Sequence, residues 1–235
     1  MNNTKGIVAA IILALGMGLL GQRVGVGIVR AKKENRTVSV RGLSEREVAA
    51  DKVIWPMVYK EVGNNLNEIY RTINRKNDII VSFLKGKGID ESEISIAAPQ
   101  IIDQQAERYN NMTVPYRYNV TSVITVSSSK VDLVRQLLVE QVSLLENGVA
   151  IVSGDYEYRT QFLFTGLNEL KPSMIADATK NARASAEQFA KDSDSKLGKI
   201  QTAYQGQFSI ENRDANTPYL KNVRVVSTIV YYLED

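Results

Sequence analysis

At Thr37 the hydrophobic pattern of this chain changes its period, and that change limits the folds open to it. Upstream, residues 6–20 are fifteen positions without a charge, followed by Gly21, Gln22 and Arg23 and a second apolar stretch over 24–29. Downstream, apolar and polar residues alternate, which places every second side chain on one face of an extended strand. Residues 37–42 read as a short strand. Residues 52–62 read as a longer one with Val53, Trp55, Met57 and Tyr59 on one face, and Pro56 inside it marks an edge or a bulge.

Helical spacing interrupts this alternation three times. Asn65 is placed as an N-cap with Glu68 three residues on, and Leu66, Ile69, Ile73, Ile80 and Leu84 then recur at helical intervals until Gly86 and Gly88. Residues 94–109 and 115–127 are β-prone runs separated by Asn110, Asn111 and Met112, the turn chemistry of an antiparallel hairpin. Ser129 with Asp132 opens a second helix, whose Val131, Val134, Leu138, Val142 and Leu145 share a stripe that closes at Asn147 and Gly148. Residues 150–164 read as a strand with a bulge at Gly154. Pro172 stands where a proline opens a helix, and the third helix runs to about Lys196 with Ile175, Ala178, Ala182, Ala186 and Phe189 on one face. Strands over 199–211 and 223–233, joined by a turn-rich link, end the chain. The expected fold is α+β, mostly antiparallel sheet with three covering helices in the order ββαββαβαββ, behind an N-terminal hydrophobic anchor helix.

The N-terminal segment, residues 1–35, reads as a signal-like segment or an uncleaved membrane anchor, and residues 36–235 as the folded body. One lysine before a hydrophobic run has the form of a signal peptide, but no Ala-x-Ala site follows Leu20. The uncharged run is shorter than the roughly 20 residues a spanning helix needs, so Arg23 must reach the interface or residues 24–29 must join the span. Ala10, Ala14 and Gly18, continued by Gly21 and Gly25, form a small-residue face of the kind that lets helices approach in lipid. Arg30, Lys32, Lys33 and Arg36 outnumber Lys5, which by the positive-inside rule favours a cytoplasmic body, whereas a short basic leader favours export.

Composition removes most familiar chemistry. The 235 residues include no cysteine and no histidine, so disulfides, thiol nucleophiles, imidazole bases and the Ser-His-Asp triad are excluded. The net charge of +3 sits in the leader: the first 36 residues carry six basic groups and one acidic, leaving 23 basic and 25 acidic in the rest. A body near neutrality lacks the one-signed field of a nucleic-acid binder. Gly16, Gly18 and Gly21 match G-x-G-x-x-G, but no βαβ series follows, and the hydrophobic segment explains the same letters. Two S-x-x-K spacings, Ser127 with Lys130 and Ser193 with Lys196, are the remaining nucleophile arrangements; the first coincides with a helix start and the second with a helix end. Asp90, Glu91 and Glu93, and Glu211 with Asp214, could offer oxygen ligands to a hard cation, without the spacing of a calcium loop. Tyr109, Tyr116, Tyr118, Tyr156, Tyr158, Tyr231 and Tyr232 fall mostly in strands, where they serve cross-strand packing or subunit contacts.

Five segments together resemble the SIMPL domain family of bacterial envelope proteins: residues 36–47, the strand around Trp55, residues 161–168, residues 171–183, and Asn216 to Pro218 with Val223 to Val226. The resemblance covers about residues 36–235. It implies an α+β fold, an export segment or anchor, a periplasmic body in a two-membrane bacterium, and assembly into large rings or channel-like oligomers. Some relatives are described as periplasmic immunogenic or oxidative-stress defence proteins. The family carries no agreed catalytic motif, so no residue receives a catalytic, cofactor-binding or metal role. The expected function is that of a non-enzymatic, inner-membrane-anchored protein that self-associates and supports envelope integrity or stress tolerance, with no cofactor and no nucleic acid. The rival readings are a ligand- or polymer-binding module, a Ser-Lys hydrolase, and a body facing the cytoplasm.

Overall fold

The computed structural model describes residue 14 and residues 16–25, 36–106, 114–152 and 156–234. The elements are β1 (Thr37–Ala49), β2 (Lys52–Gly63), α1 (Leu66–Gly86), β3 (Ile94–Ile96), β4 (Gln100–Asp103), β5 (Tyr118–Ser128), α2 (Val131–Glu140), β6 (Gln161–Leu163), α3 (Leu167–Asp192), β7 (Lys196–Gln205), β8 (Ser209–Asn212) and β9 (Leu220–Glu234). Short 3-10 turns lie at Glu91–Glu93, Gln141–Asn147 and Tyr156–Tyr158. The fold is α+β with antiparallel sheets, as the alternation predicts. Residues 16–25 are helical. Most of the expected anchor lies outside the described residues, and among those described no helix is long and apolar enough to cross a membrane.

Two compact units emerge: the first is Met1–Arg46, Leu170–Ser209 and Val223–Asp235, the second Glu47–Glu169 and Ile210–Asn222. In the second unit β2 and β5 pair antiparallel without a break from Val53↔Ser128 to Gly63↔Tyr118. Val53, Trp55, Met57 and Tyr59 are all buried on the predicted face, against Ile69, Ile73, Ile80 and Leu84 of α1. Each such side chain stabilises by about 1.5–3 kcal/mol relative to exposure. The register contains no bulge at Pro56, and β2 lies between β5 and β6, so Pro56 marks neither a bulge nor an edge strand but a gap in the pairing on one side. Val58 accepts from Val152 N–H across the side away from β5, and because backbone groups alternate sides along a strand, Pro56 faces that side too. β6 reaches only Lys52–Ile54 there, so among the described residues no strand needs a donor from Pro56.

Several expected boundaries move, each for a local reason. The run over 94–109 is not one hairpin strand: β3 and β4 both pair with β5, and the register advances by one residue across Ala97, Ala98 and Pro99. That extra residue is a bulge, at a proline that cannot donate to a ladder; the predicted turn at 110–112 lies outside the described residues. In the second helix, Val134, Leu137 and Leu144 are buried, whereas the predicted Val142 and Leu145 are 64% and 56% exposed. The cause is the switch to 3-10 geometry at Gln141. Rotation per residue rises from about 100° to about 120°, which brings Leu144 into line with Val134 and swings Val142 and Leu145 aside. Gly148, at φ +75°, ends the turn in a conformation that favours glycine. The expected strand over 150–164 is a single bridge, Val58↔Val152, a 3-10 turn and the three residues of β6; Gly154 is outside the described residues.

The third helix starts earlier and ends earlier than predicted. Pro172 lies inside α3, which begins at Leu167. The start is set from a distance: the Asp51 carboxylate accepts from the backbone N–H of Thr165 and Gly166, each at 2.8 Å, and from the Thr165 hydroxyl at 3.0 Å. In the first unit α3 buries Met174, Ala178, Ala182, Ala186 and Ala190, while the predicted Phe189 is 59% exposed. The alanines are small because β1 comes very close. A Cβ built on Gly42 would stand 1.8 Å from the Ala178 carbonyl oxygen and 2.5 Å from the Ala182 nitrogen. Asn181 ties the same place by donating to Leu43 O at 2.8 Å. This sheet runs β1-β9-β7, with β8 also on β9, and its packed face is built from Val40, Ile229 and Tyr231 against Ala182 and Ala186.

Candidate assembly edge

The end strand β7 is built unlike the other strands of the molecule. From Ile200 through the residues after its end to Phe208 it holds no charge and no proline, two of the features that stop an exposed edge from pairing with another chain. β1, the opposite edge, carries Arg41, Glu45 and Arg46, with Arg46 on Asp177 at 2.7 Å and Glu45 on Arg224 at 3.3 Å. In β7 the charges, Lys196 and Lys199, all precede Ile200, and the strand from Ile200 onward has no such guard.

Two irregularities shape this strand. The register against β9 shifts between Leu197 and Ile200 and again between Ile200 and Thr202, and each shift increases local twist. Of β7 only Leu197 packs against the apolar cluster of the unit. Every residue from Lys199 to Gln205 is exposed, so this part of the strand is bare on both faces; Ile200 is 49% and Tyr204 69% exposed. From Thr202 to Gln205 the pairing is regular, opposite Val230, Ile229, Thr228 and Ser227. Gly206 N–H donates to Val226 O at 2.8 Å. Since backbone groups alternate sides, Thr202 and Tyr204 also face β9, and Ala203 and Gln205 aim their N–H and C=O outward.

Lys130, Asp90, Glu91, Glu93, Ser193 and Asp214, among the chemistry-bearing candidates read from the sequence, are occupied by structural work. Lys130 donates to Gly88 O at 2.9 Å, to Asp90 at 2.5 Å and to Glu93 at 3.1 Å, and these carboxylates, Asp90 first, hold its amine above the ordinary lysine value. A lysine so held stays a cation and cannot serve Ser127 as a base. Ser193 donates to Ala190 O at the end of α3, and Lys196 opens β7, so that pair does not share a helical turn. Glu91 pairs with Lys85 at 2.9 Å. Asp214 accepts from the Thr217 hydroxyl, from Arg213 at 3.0 Å and from the N–H of Asn216 and Thr217, contacts that hold its carboxyl far below the usual range. Among the described residues no group of three or more acidic, histidine or cysteine side chains is placed to hold a metal ion.

Sequence reasoning missed a buried polar cluster in the second unit. The Tyr59 hydroxyl donates to Asn77 Oδ1 at 2.7 Å and lies 3.0 Å from Ile73 O, and Ser122 donates to the same Asn77 oxygen at 3.4 Å. Burial raises the Tyr59 pKa, which keeps the hydroxyl a donor. Asn77 in the middle of the Ile73, Ile80 and Leu84 stripe was the readable signal. Lys221 is also buried, with its amine on Asn212, and burial lowers its pKa.

The family model for SIMPL, described as a protein of unknown function (DUF541), matches residues 38–227. The chain belongs to the SIMPL family. The matched span covers β1 through most of β9, so both units are SIMPL structure. No curated protein matches the chain. The matched family is one of unknown function, and the feature of this member that needs explaining is its bare strand.

Proposed function

We propose that this SIMPL protein is a non-enzymatic, self-assembling component of the bacterial envelope, held to the inner membrane by its N-terminal segment with its body in the periplasm. The observation that carries the reading is β7, exposed on both faces from Lys199 to Gln205 and uncharged from Ile200 to Phe208. The free N–H and C=O groups of an edge of this kind, otherwise solvated, are a template for pairing with another strand. The uncharged run over 6–20 supports the tether, and tethering confines bodies to one surface, raising the effective concentration of weak body-to-body contacts. Assemblies of this sort act on the envelope by what they touch, which fits support of envelope integrity or stress tolerance. The capture of Lys130 by Asp90 and Glu93 speaks against the Ser-Lys hydrolase.

A second reading, ligand capture, has one observation in its favour: an open groove of about 600 Å³ lined by the apolar Ile79, Phe83 and Leu144 and the charged Arg75, Asp78 and Glu146. Sedimentation or mass photometry of the detergent-solubilised full chain, and of a chain lacking residues 1–35, tests the first reading. Oligomers are expected. Monomers from both at high micromolar concentration overturn it. A reporter fused after residue 40 that distinguishes periplasm from cytoplasm tests the orientation, and a cytoplasmic signal reverses it.

A further inference from the structure

Resting on the self-assembly reading, we propose that the occupant of the β7 edge is β7 of a second copy, paired antiparallel about a two-fold axis through Tyr204. The outward groups are satisfied in this register, and the tyrosine pair and the Thr202–Gly206 fit single it out. Ala203 and Gln205 point their N–H and C=O away from β9, and a two-fold at Tyr204 sets Ala203 of each copy opposite Gln205 of the other. Each outward N–H then meets an outward carbonyl, giving four backbone hydrogen bonds from two residues per copy. Tyr204, whose own backbone groups are spent on β9, falls at the non-hydrogen-bonded position, where opposing side chains come closest. That position suits a pair of aromatic rings, and it covers the most exposed large side chain of the strand.

Side chains and charges agree with a partner identical to the strand itself. Thr202 faces Gly206 of the other copy, so the residue flanking the two tyrosines meets no side chain. Lys196 and Lys199 both lie on one side of Tyr204, and the two-fold sends the lysines of the two copies to opposite ends, so like charges do not oppose. A closed two-fold pair also consumes both edges at once, which an open head-to-tail contact does not.

The chain has no cysteine, so one introduced cysteine reports its own distance to its copy. Across the axis the two Cα atoms at position 204 lie about 4.5 Å apart, within the roughly 4.4–6.8 Å that a disulfide bridges; those at position 199 lie about 30 Å apart. In the detergent-solubilised full chain, Tyr204→Cys is expected to form a covalent dimer at least tenfold faster than Lys199→Cys under mild oxidation. Ala203→Pro removes an outward donor that β9 does not use, and is expected to weaken association at least tenfold with unchanged circular dichroism. If the wild type is oligomeric but Tyr204→Cys does not cross-link, or both cysteines cross-link equally, this pairing is overturned while self-assembly stands. Wild-type association in Ala203→Pro overturns the pairing as well. A monomeric wild type removes both.

Discussion

The two units bury their sheets by opposite means. The second fills the space between sheet and helices with large side chains, Trp55, Met57, Tyr59, Ile73, Ile80 and Leu84. The first removes the space, setting Gly42 of β1 against the backbone of α3 at Ala178 and Ala182. Large side chains can shift to admit an added methyl group but leave a cavity when one is cut away, whereas a contact between backbones has no side chain left to move. The first unit should therefore be intolerant of added atoms and the second of lost ones.

The largest effect tests that difference directly. Gly42→Ala puts a methyl group into the Ala178 carbonyl and is expected to destabilise by about 3 kcal/mol or more, whereas Gly63→Ala, whose Cβ would meet only the flexible end of Ile69 at 3.3 Å, should cost under about 1 kcal/mol. Urea denaturation of both variants checks the pair, and equal losses would break the comparison. Truncation should reverse the ranking: Leu84→Ala in the second unit costs roughly 2–5 kcal/mol, while Ala186→Gly in the first costs about 1 kcal/mol.

Smaller effects sharpen the account of the second unit. Asp51→Ala leaves the start of α3 without its remote cap, and thermal melts should show a loss of about 1–2 kcal/mol. Tyr59→Phe deletes the donor to Asn77 and should cost about 1 kcal/mol. A pH titration of stability reads the smallest effect, at Glu93. Burial raises its pKa, but the Ser128 hydroxyl, the Asp90 N–H and Lys130 outweigh that and hold the carboxyl below its ordinary value. Its contribution is therefore present above the unfolded value of about 4.3 and is lost as pH falls through the folded value. Glu93→Gln should flatten the acid limb of the stability curve; an unchanged limb would assign acid sensitivity to other carboxylates.

How far these features could be read in advance depended on whether their cause was local. The burial of Val53, Trp55, Met57 and Tyr59 followed from alternation alone, and Asn65 caps α1 as its spacing indicated, its side chain accepting from Asn67 N–H at 2.9 Å. The start of α3 was misplaced because its cap, Asp51, lies 114 residues away from Thr165 in sequence. The second stripe failed because a change of helix type alters the angle per residue without changing the letters. The β7 edge carried a readable sign, nine residues without charge or proline from Ile200 to Phe208, but nothing local said that it was an edge.

Residue order by itself determined the α+β class, the exclusion of thiol and imidazole chemistry, the three helices and most faces of the long strands, since each follows from periodicity or from which atoms are present. Tertiary structure decided which strand ends each sheet, how closely α3 approaches β1, and which polar groups are already engaged. Those outcomes depend on distances between residues remote in the chain, which no local pattern of side chains encodes.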